Sequence, residues 1–152
     1  MTPEKLRYQK AHRIYQDRTY PTATRDHGHI NTTFPDTTKA NGLTRFILNF
    51  LKWQGHRATR ISSSGRLIDS PQRQQSGISL FTKKWIGGTT RRGTADISAT
   101  IRGRSVMLEV KVGTDRPSLY QLREQALERA AGGVYEFIHN TEEFFKWYDA
   151  FC

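Results

Sequence analysis

Asp96, Glu109 and Lys111 are three residues whose types and spacing could act together in chemistry. The two carboxylates are separated by thirteen positions, and the lysine follows the second carboxylate by two. On each side of Arg102 and Gly103, apolar and polar side chains alternate, which is typical of two strands joined by a tight turn. The pattern therefore predicts a β-hairpin that carries all three residues.

The register of this hairpin, over residues 95–112, follows from its two-residue turn. Counting outward from the turn places Asp96 directly opposite Glu109, with Cβ atoms about 4.5–5.5 Å apart. Lys111 lies on the same face as Glu109, about 6.7 Å further along the strand. The apolar residues of both strands point the other way, into a core. A one-residue bulge would shift this register, so the opposition requires a regular hairpin.

Two opposed carboxylates repel each other unless a cation lies between them. A hard divalent cation such as Mg²⁺ suits a site made only of oxygen ligands, and a neighbouring lysine can stabilise a hydroxide or the charge that develops on a phosphate. The pattern predicts metal-assisted phosphodiester hydrolysis. The alternative is an ion-pair ladder on the exposed face of the hairpin, worth about 0.2–1 kcal/mol per pair.

The net charge of +10 is distributed unevenly along the chain. Residues 1–35 contain six basic and three acidic side chains, residues 36–104 contain thirteen and three, and residues 105–152 contain five and eight. This asymmetry favours a polyanionic partner bound on one side, and nucleic acid is the best candidate. A charge that serves solubility and a basic face that packs against acidic proteins are the alternatives.

Length and composition indicate one globular domain. The chain has 152 residues, and no apolar run approaches the roughly 18 residues of a membrane span. Its one cysteine, Cys152, excludes a disulfide framework and a cysteine metal site. Three histidines between residues 12 and 29 fit no standard zinc spacing. We therefore expect a cytoplasmic protein with no membrane partner.

Helical and strand periods place the other elements around the hairpin. Residues 1–35 show no period and predict an irregular, basic N-terminal extension. An apolar stripe predicts a helix over 38–53, capped by Asp36 or Thr37 and ended by Gly55. The remaining segments are predicted as a strand at 56–61, a loop at 62–77, a strand at 78–86, a helix at 118–131, a strand at 134–138 and a final helix capped by Asn140 or Thr141. This order predicts an α/β fold with a mixed central β-sheet flanked by helices.

A basic insertion at about 62–92 is the predicted contact surface for nucleic acid. Basic side chains bind phosphates, and exposed aromatic rings stack on unpaired bases. Phe81 and Trp85 could instead pack in the core. The predicted nucleic-acid contacts are Arg60, Arg66, Arg73, Lys83, Lys84, Trp85, Arg91, Arg92 and Arg116.

Three motifs resemble the PD-(D/E)XK nuclease superfamily, and more narrowly the stand-alone VRR-NUC type of phages and bacteria. The motifs are Gly93-Thr94-Ala95-Asp96-Ile97, Glu109-Val110-Lys111 and Gln121. The resemblance covers about residues 38–150 and implies a restriction-endonuclease-like core within a nuclease domain at 36–152. It implies a DNA endonuclease that requires Mg²⁺ or Mn²⁺, acts on branched or junction DNA as Holliday junction resolvases do, and works in a bacterial or phage-infected cell. A homodimer is implied for cutting two strands, and RNA stays open as a substrate.

The resemblance also assigns roles to individual residues. Asp96, Glu109 and the carbonyl of Val110 would bind the metal, and Lys111 would orient or activate the attacking water. Gln121 would support the lysine or a phosphate. For Gln121 a capping box with the serine three positions before it is an equal alternative.

Two departures from the family pattern bear on catalysis. The family usually places a glutamate of its first helix at the metal site, where the nearest match in this sequence is Asn41, a neutral and weaker ligand. Ala95 replaces the proline that often precedes the first aspartate, which is a common variation. The difference at Asn41 keeps open a second function, a nucleic-acid-binding module that has the same fold but no activity.

Overall fold

In the computed structural model the chain folds as an α/β protein. The structure describes residues 1–61, 66–73, 79–86 and 92–152. Within these ranges, no helix is both long and apolar enough to cross a membrane. The elements in chain order are α1 (Pro3–Thr19), α2 (Pro21–His27), α3 (Ala40–Trp53), β1 (Arg57–Arg60), β2 (Arg66–Arg73), β3 (Ser79–Ile86), β4 (Ile97–Ile101), β5 (Arg104–Val110), α4 (Leu119–Ala130), β6 (Val134–Ile138) and α5 (Thr141–Phe151).

A four-stranded mixed sheet forms the centre of the molecule, in the order β1-β4-β5-β6. Strand β4 is antiparallel to both β1 and β5, whereas β6 is parallel to β5. The parallel pair follows because helix α4 carries the chain back to the start of the sheet between these two strands. Helices flank the sheet, so the predicted α/β class and the mixed sheet are confirmed.

The predicted hairpin register is confirmed. Ile101 pairs with Arg104, and Ile97 pairs with Leu108. Arg102 and Gly103 have φ values of 50° and 78°, as a two-residue type I′ turn requires. The local turn chemistry therefore fixes which face of each strand the polar residues occupy.

The core lies between one face of the sheet and helices α1, α3 and α5. The predicted apolar stripe of α3 is buried, and its aromatic residues pack edge to face with those of α5: the ring centroids of Phe50 and Phe145 are 5.0 Å apart. From the sheet, alternate residues of β4 and β5 complete this core. In contrast, α4 contributes no buried residue, and it lies on the other side of the sheet, against Glu109.

The start of α3 differs from the prediction, and its end agrees with it. The N-cap is Lys39, and no side chain caps the helix. The Asp36 carboxylate instead accepts a hydrogen bond within the preceding turn, so the predicted cap at Asp36 or Thr37 is wrong. At the other end Gly55 has φ +86° and donates to the carbonyl of Lys52 at 3.0 Å, as a terminating glycine does.

Residues 3–19 and 21–27 are helical, so the prediction of an irregular extension over 1–35 is wrong for these residues and holds for 28–35. Thr2 caps α1 by accepting from the main chain of Lys5, and a proline occupies the first helical position. Tyr8 is fully buried between Phe46 and Trp53, with ring centroids 4.9 and 4.6 Å away. Most of α1 is polar and its buried stripe is narrow, so the sequence period was too weak to reveal it.

Between β1 and β4 the chain forms a separate two-stranded antiparallel sheet from β2 and β3. The predicted strand at 78–86 corresponds to β3 and is confirmed. The prediction of a loop over 62–77 is wrong for residues 66–73, which pair with β3 from Arg66 opposite Ile86 to Arg73 opposite Ser79. A proline within β2 lowers its strand propensity, and pairing with β3 outweighs that local preference.

Candidate active site

The structure brings Asp96, Glu109 and Lys111 together at one end of the hairpin. Asp96 immediately precedes β4, while Glu109 and Lys111 lie at the end of β5 on the side away from the core. The main-chain N–H of Val110 donates to Asp96 Oδ2 at 3.1 Å, and Lys111 Nζ is 3.5 Å from Glu109 Oε1. Glu109 is 5% exposed and Lys111 is 6% exposed. Glu109 and Lys111 are therefore buried, whereas the residues of an ion-pair ladder on the exposed face of a hairpin would be accessible to solvent.

The ammonium of Lys111 lies between two carboxylates. Besides Glu109, its Nζ contacts Asp115 Oδ2 at 3.2 Å. Asp115 belongs to the connection between β5 and α4, outside any periodic element, so no sequence pattern singled it out. Its contact is a second anchor for the lysine side chain at the site.

Gln121 forms the capping box that the sequence offered as one alternative, and its side chain also contacts Glu109. Its side chain accepts from the main chain of Ser118 at 2.9 Å, and its own N–H donates to Ser118 Oγ at 3.3 Å, which completes a capping box. Its Nε2 also donates to Glu109 Oε1. The capping box thus fixes the amide in an orientation that presents a donor to the buried carboxylate.

The segment that carries Asp96 is held between α4 and β6. The buried hydroxyl of Tyr135 donates to the Gly93 carbonyl at 3.0 Å. Gly93 has φ +87°, and a Cβ at this position would lie 2.4 Å from the carbonyl oxygen of Tyr120. The glycine of the sequence motif is therefore required for close contact with α4. Tyr135 was not identified from the sequence, because nothing in its strand marks the contact.

Burial and mutual repulsion raise the pKa of Glu109 to about 7. Loss of hydration is the larger cause, the charge of Asp96 adds to it, and Lys111 offsets part of the rise. The same carboxylates and burial raise the pKa of Tyr135, so that phenol stays protonated and keeps its hydrogen bond. The protein groups of the site therefore have an excess of negative charge that a cation would relieve.

Glu109→Gln is expected to stabilise the metal-free protein at pH 8. Because the folded-state pKa lies above the ordinary value of 4.5, the folded protein binds the proton more tightly than the unfolded chain does. Stability is therefore lost as the pH rises from about 4.5 to about 7, by up to about 3 kcal/mol. Glutamine resembles the protonated acid and avoids this loss.

Urea unfolding in EDTA at pH 5 and pH 8 measures this effect. The free energy of unfolding of Glu109→Gln should exceed that of the parent at pH 8 by about 1–3 kcal/mol, and the difference should shrink at pH 5. Glu142→Gln, at an exposed carboxylate in the first turn of α5, is the control and should show no such gain. A Glu109→Gln protein that is less stable than the parent at pH 8 would contradict the raised pKa.

The donor atoms available for a metal are all oxygens. Two carboxylates, those of Asp96 and Glu109, are available. Within the described ranges there is no larger group, of three or more His, Cys, Asp or Glu side chains, that could hold an ion. One oxygen of each carboxylate is engaged by the protein: Oδ2 of Asp96 by Val110 and Oε1 of Glu109 by Gln121. The Val110 carbonyl, water and a substrate oxygen would complete the ligands. This set fits Mg²⁺ or Mn²⁺ and does not suit zinc.

Asn41, the nearest match to the first-helix glutamate of the family, contacts an arginine. It lies in the first turn of α3, where its Oδ1 accepts from Arg60 Nη2 at 2.7 Å. Arg60 pairs across the sheet with Ile97, the residue after Asp96. Asn41 is therefore near the site and is engaged in holding an arginine.

The predicted nucleic-acid contacts divide into those that the structure places and those outside the described side chains. Arg60, Arg92 and Arg116 are exposed. Arg92 donates to the Tyr120 hydroxyl at 3.3 Å and lies over its ring, at the start of α4. The strands β2 and β3 contain Arg66, Arg73, Phe81, Lys83, Lys84 and Trp85, whose side chains lie outside the described part of the structure, as does Arg91.

Comparison with models of known protein families and with curated proteins gave no match to this chain. The geometry of the site and the charge of the chain are therefore the basis for assigning a function.

Proposed function

We propose that this chain is a metal-dependent endonuclease of the PD-(D/E)XK type that hydrolyses phosphodiester bonds in DNA. The observation that carries the proposal is the burial of Glu109 and Lys111 beside Asp96 at the end of β5. Burying charged groups costs folding free energy, so a buried cluster of this kind points to a function, and a carboxylate with a pKa raised to about 7 in such a cluster is typical of catalytic sites.

Each residue of the cluster has a role in this reaction. Asp96 and Glu109 would bind Mg²⁺ or Mn²⁺, with the Val110 carbonyl as a further ligand, and the ion would supply Lewis acidity at the phosphate. Lys111 would orient the attacking water and stabilise the negative charge that develops on the phosphate oxygens. Gln121 keeps Glu109 in place through its hydrogen bond.

The surroundings of the site support nucleic acid as the substrate. The chain carries a charge of +10, and thirteen of its basic residues lie between 36 and 104, the part of the chain that ends in the catalytic hairpin. On this proposal the mixed sheet with α3 and α4 is a restriction-endonuclease-like core. Branched or junction DNA as the substrate, a homodimer as the active form and a cytoplasmic location belong to the same proposal, with RNA as an alternative substrate.

One observation favours a second function, a nucleic-acid-binding module without catalysis. Asn41 is engaged with Arg60, and no third acidic side chain joins Asp96 and Glu109 in a metal-binding group within the described residues. A binding module would show salt-dependent affinity for DNA with no requirement for a metal.

A cleavage assay separates the two functions. Linear, nicked, flapped and four-way DNA, and a matching RNA, are incubated with Mg²⁺, Mn²⁺ or EDTA. The endonuclease should cut only with a metal, and Glu109→Gln should lower the rate by at least about 10³-fold, whereas Glu142→Gln should cut as the parent does. Binding without cutting on every substrate would overturn the endonuclease and support the binding module.

A further inference from the structure

We propose that a pocket at the same end of the sheet as Asp96 binds a backbone phosphate of the substrate strand through Arg45 and Arg60. The pocket has a volume of about 290 Å³ and lies between α3 and β1. Its lining residues are Asn41, Thr44, Arg45, Leu48, Asn49 and Arg60. This inference rests on the proposed function for the identity of the strand and on the pocket's own chemistry for the anion.

The charge of this pocket is entirely positive. Two guanidinium groups line it, and none of the lining side chains is acidic. The sequence from residue 37 to residue 68 contains no Asp or Glu at all. The asparagine amides add neutral hydrogen-bond donors. A site with two guanidinium groups and no carboxylate selects an anion with several acceptor oxygens, and a phosphodiester fits this description.

Arg60 is held in position before any ligand binds. Its Nη2 donates to Asn41 Oδ1 at 2.7 Å, which uses one of its five N–H donors. Because the guanidinium group is planar, this one contact also orients its other N–H donors. Asn41 thereby acts as a positioning residue for the arginine, which accounts for an asparagine where a metal-binding glutamate was expected.

The other side of the pocket is built by one face of α3. Asn41, Arg45 and Asn49 are spaced four residues apart, so they lie along the same side of the helix. Asn49 Nδ2 donates to the buried Tyr8 hydroxyl at 3.0 Å, and this contact fixes its amide. Arg45 lies between them and is exposed. Helix α1 therefore supports the pocket through Tyr8.

The pocket and the proposed metal site lie at the same end of the sheet. Arg60 pairs with Ile97, and the N–H of Ile61 donates to the Asp96 carbonyl at 2.7 Å. These contacts place the arginine at the same end of the sheet as Asp96. A DNA strand that crosses this end of the sheet would meet both Asp96 and Arg60.

Salt-dependent binding of a short DNA duplex in EDTA tests the pocket without requiring cleavage. For the parent, Arg45→Ala, Arg60→Ala and the double variant, fluorescence anisotropy gives the affinity over a series of salt concentrations. Each single variant should reduce the slope of log affinity against log salt by about one, and the double variant by about two. Arg13→Ala, at an exposed arginine of α1, removes the same charge and should leave the slope unchanged.

Two further variants separate the phosphate pocket from other roles. Arg60→Lys keeps the charge but loses the fork, so its affinity should fall between those of the parent and Arg60→Ala. Asn41→Asp should pair with Arg60 and weaken DNA binding in EDTA, whereas a metal-binding role would predict stronger Mg²⁺ binding instead. Thermal unfolding of every variant shows whether the fold is kept.

The outcomes distinguish this inference from the proposed function. If the arginine variants reduce the slope and the parent never cuts DNA, the result supports the pocket and overturns the endonuclease. Unchanged slopes for both arginine variants in a parent that cuts would overturn the pocket alone. A parent that does not bind DNA in EDTA would also overturn the pocket.

Discussion

Lys111→Ala is expected to lower the single-turnover rate of DNA cleavage by about 10³-fold. The ammonium of Lys111 is buried 3.5 Å from Glu109 Oε1, and electrostatic interactions are stronger in such an environment than in water. Removing one donor that stabilises developing charge typically costs about 10²–10³ in rate, and a lost proton-transfer role about 10²–10⁴. The rate is measured with enzyme and Mg²⁺ in excess over DNA.

The same variant should leave DNA binding in EDTA within about twofold of the parent, because its ammonium lies against two carboxylates and not on the basic surface. Lys146→Ala is the matched control: this lysine is exposed on α5, and its loss changes the net charge equally. Cleavage at the parent rate by Lys111→Ala would remove the lysine from the mechanism. A parallel loss of binding and rate would instead assign it to substrate binding.

Gly93→Ala is expected to lower the free energy of unfolding by about 2–6 kcal/mol. The backbone of Gly93 has φ +87°, which strains an alanine by about 1–3 kcal/mol. The new Cβ would also lie 2.4 Å from the carbonyl oxygen of Tyr120, and relieving such a contact costs about 1–3 kcal/mol more. Urea unfolding followed by circular dichroism measures the sum.

Gly132→Ala separates the two contributions to this cost. Its φ is +85°, yet a Cβ there would meet nothing within 4 Å, so it reports the backbone strain alone. Gly93→Ala should therefore be the more destabilising of the two, and its folded fraction should cut DNA more slowly because the segment leading to Asp96 has moved. Equal losses of stability in the two variants would show that the contact with α4 is not tight.

Local sequence chemistry was sufficient for the hairpin and its polar face. A two-residue turn at Arg102 and Gly103 permits one register, and alternation along the strands then assigns Glu109 and Lys111 to the face away from the core. Gln121 followed from the spacing of a capping box. These features depend on residues close in the sequence, which is why a pattern was enough to predict them.

Features that depend on distant contacts were missed. Tyr8 is buried by aromatic rings of α3, so the helical character of α1 has little signal in its own sequence. The contacts of Asp115 with Lys111 and of Tyr135 with Gly93 join residues through loops or across separate elements. In contrast, the i, i+4 spacing of Asn41 and Arg45 was visible in the sequence. The pocket could not be predicted from it, because the sequence does not show that Arg60 of β1 lies against this face of α3.

The hydrogen bond from the Ile61 N–H to the Asp96 carbonyl affects how this protein can evolve. It brings together the two ends of residues 62–95, because β1 and β4 are adjacent strands of the sheet. The entropic cost of closing a flexible loop grows slowly with its length, by about 0.6 kcal/mol for each doubling. Changes in length between these anchors therefore cost little in closure entropy, provided that they spare residues 93–95, which pack against α4 and β6. The segment can diverge in length and sequence while the sheet beneath it, and the charged cluster at its end, stay the same.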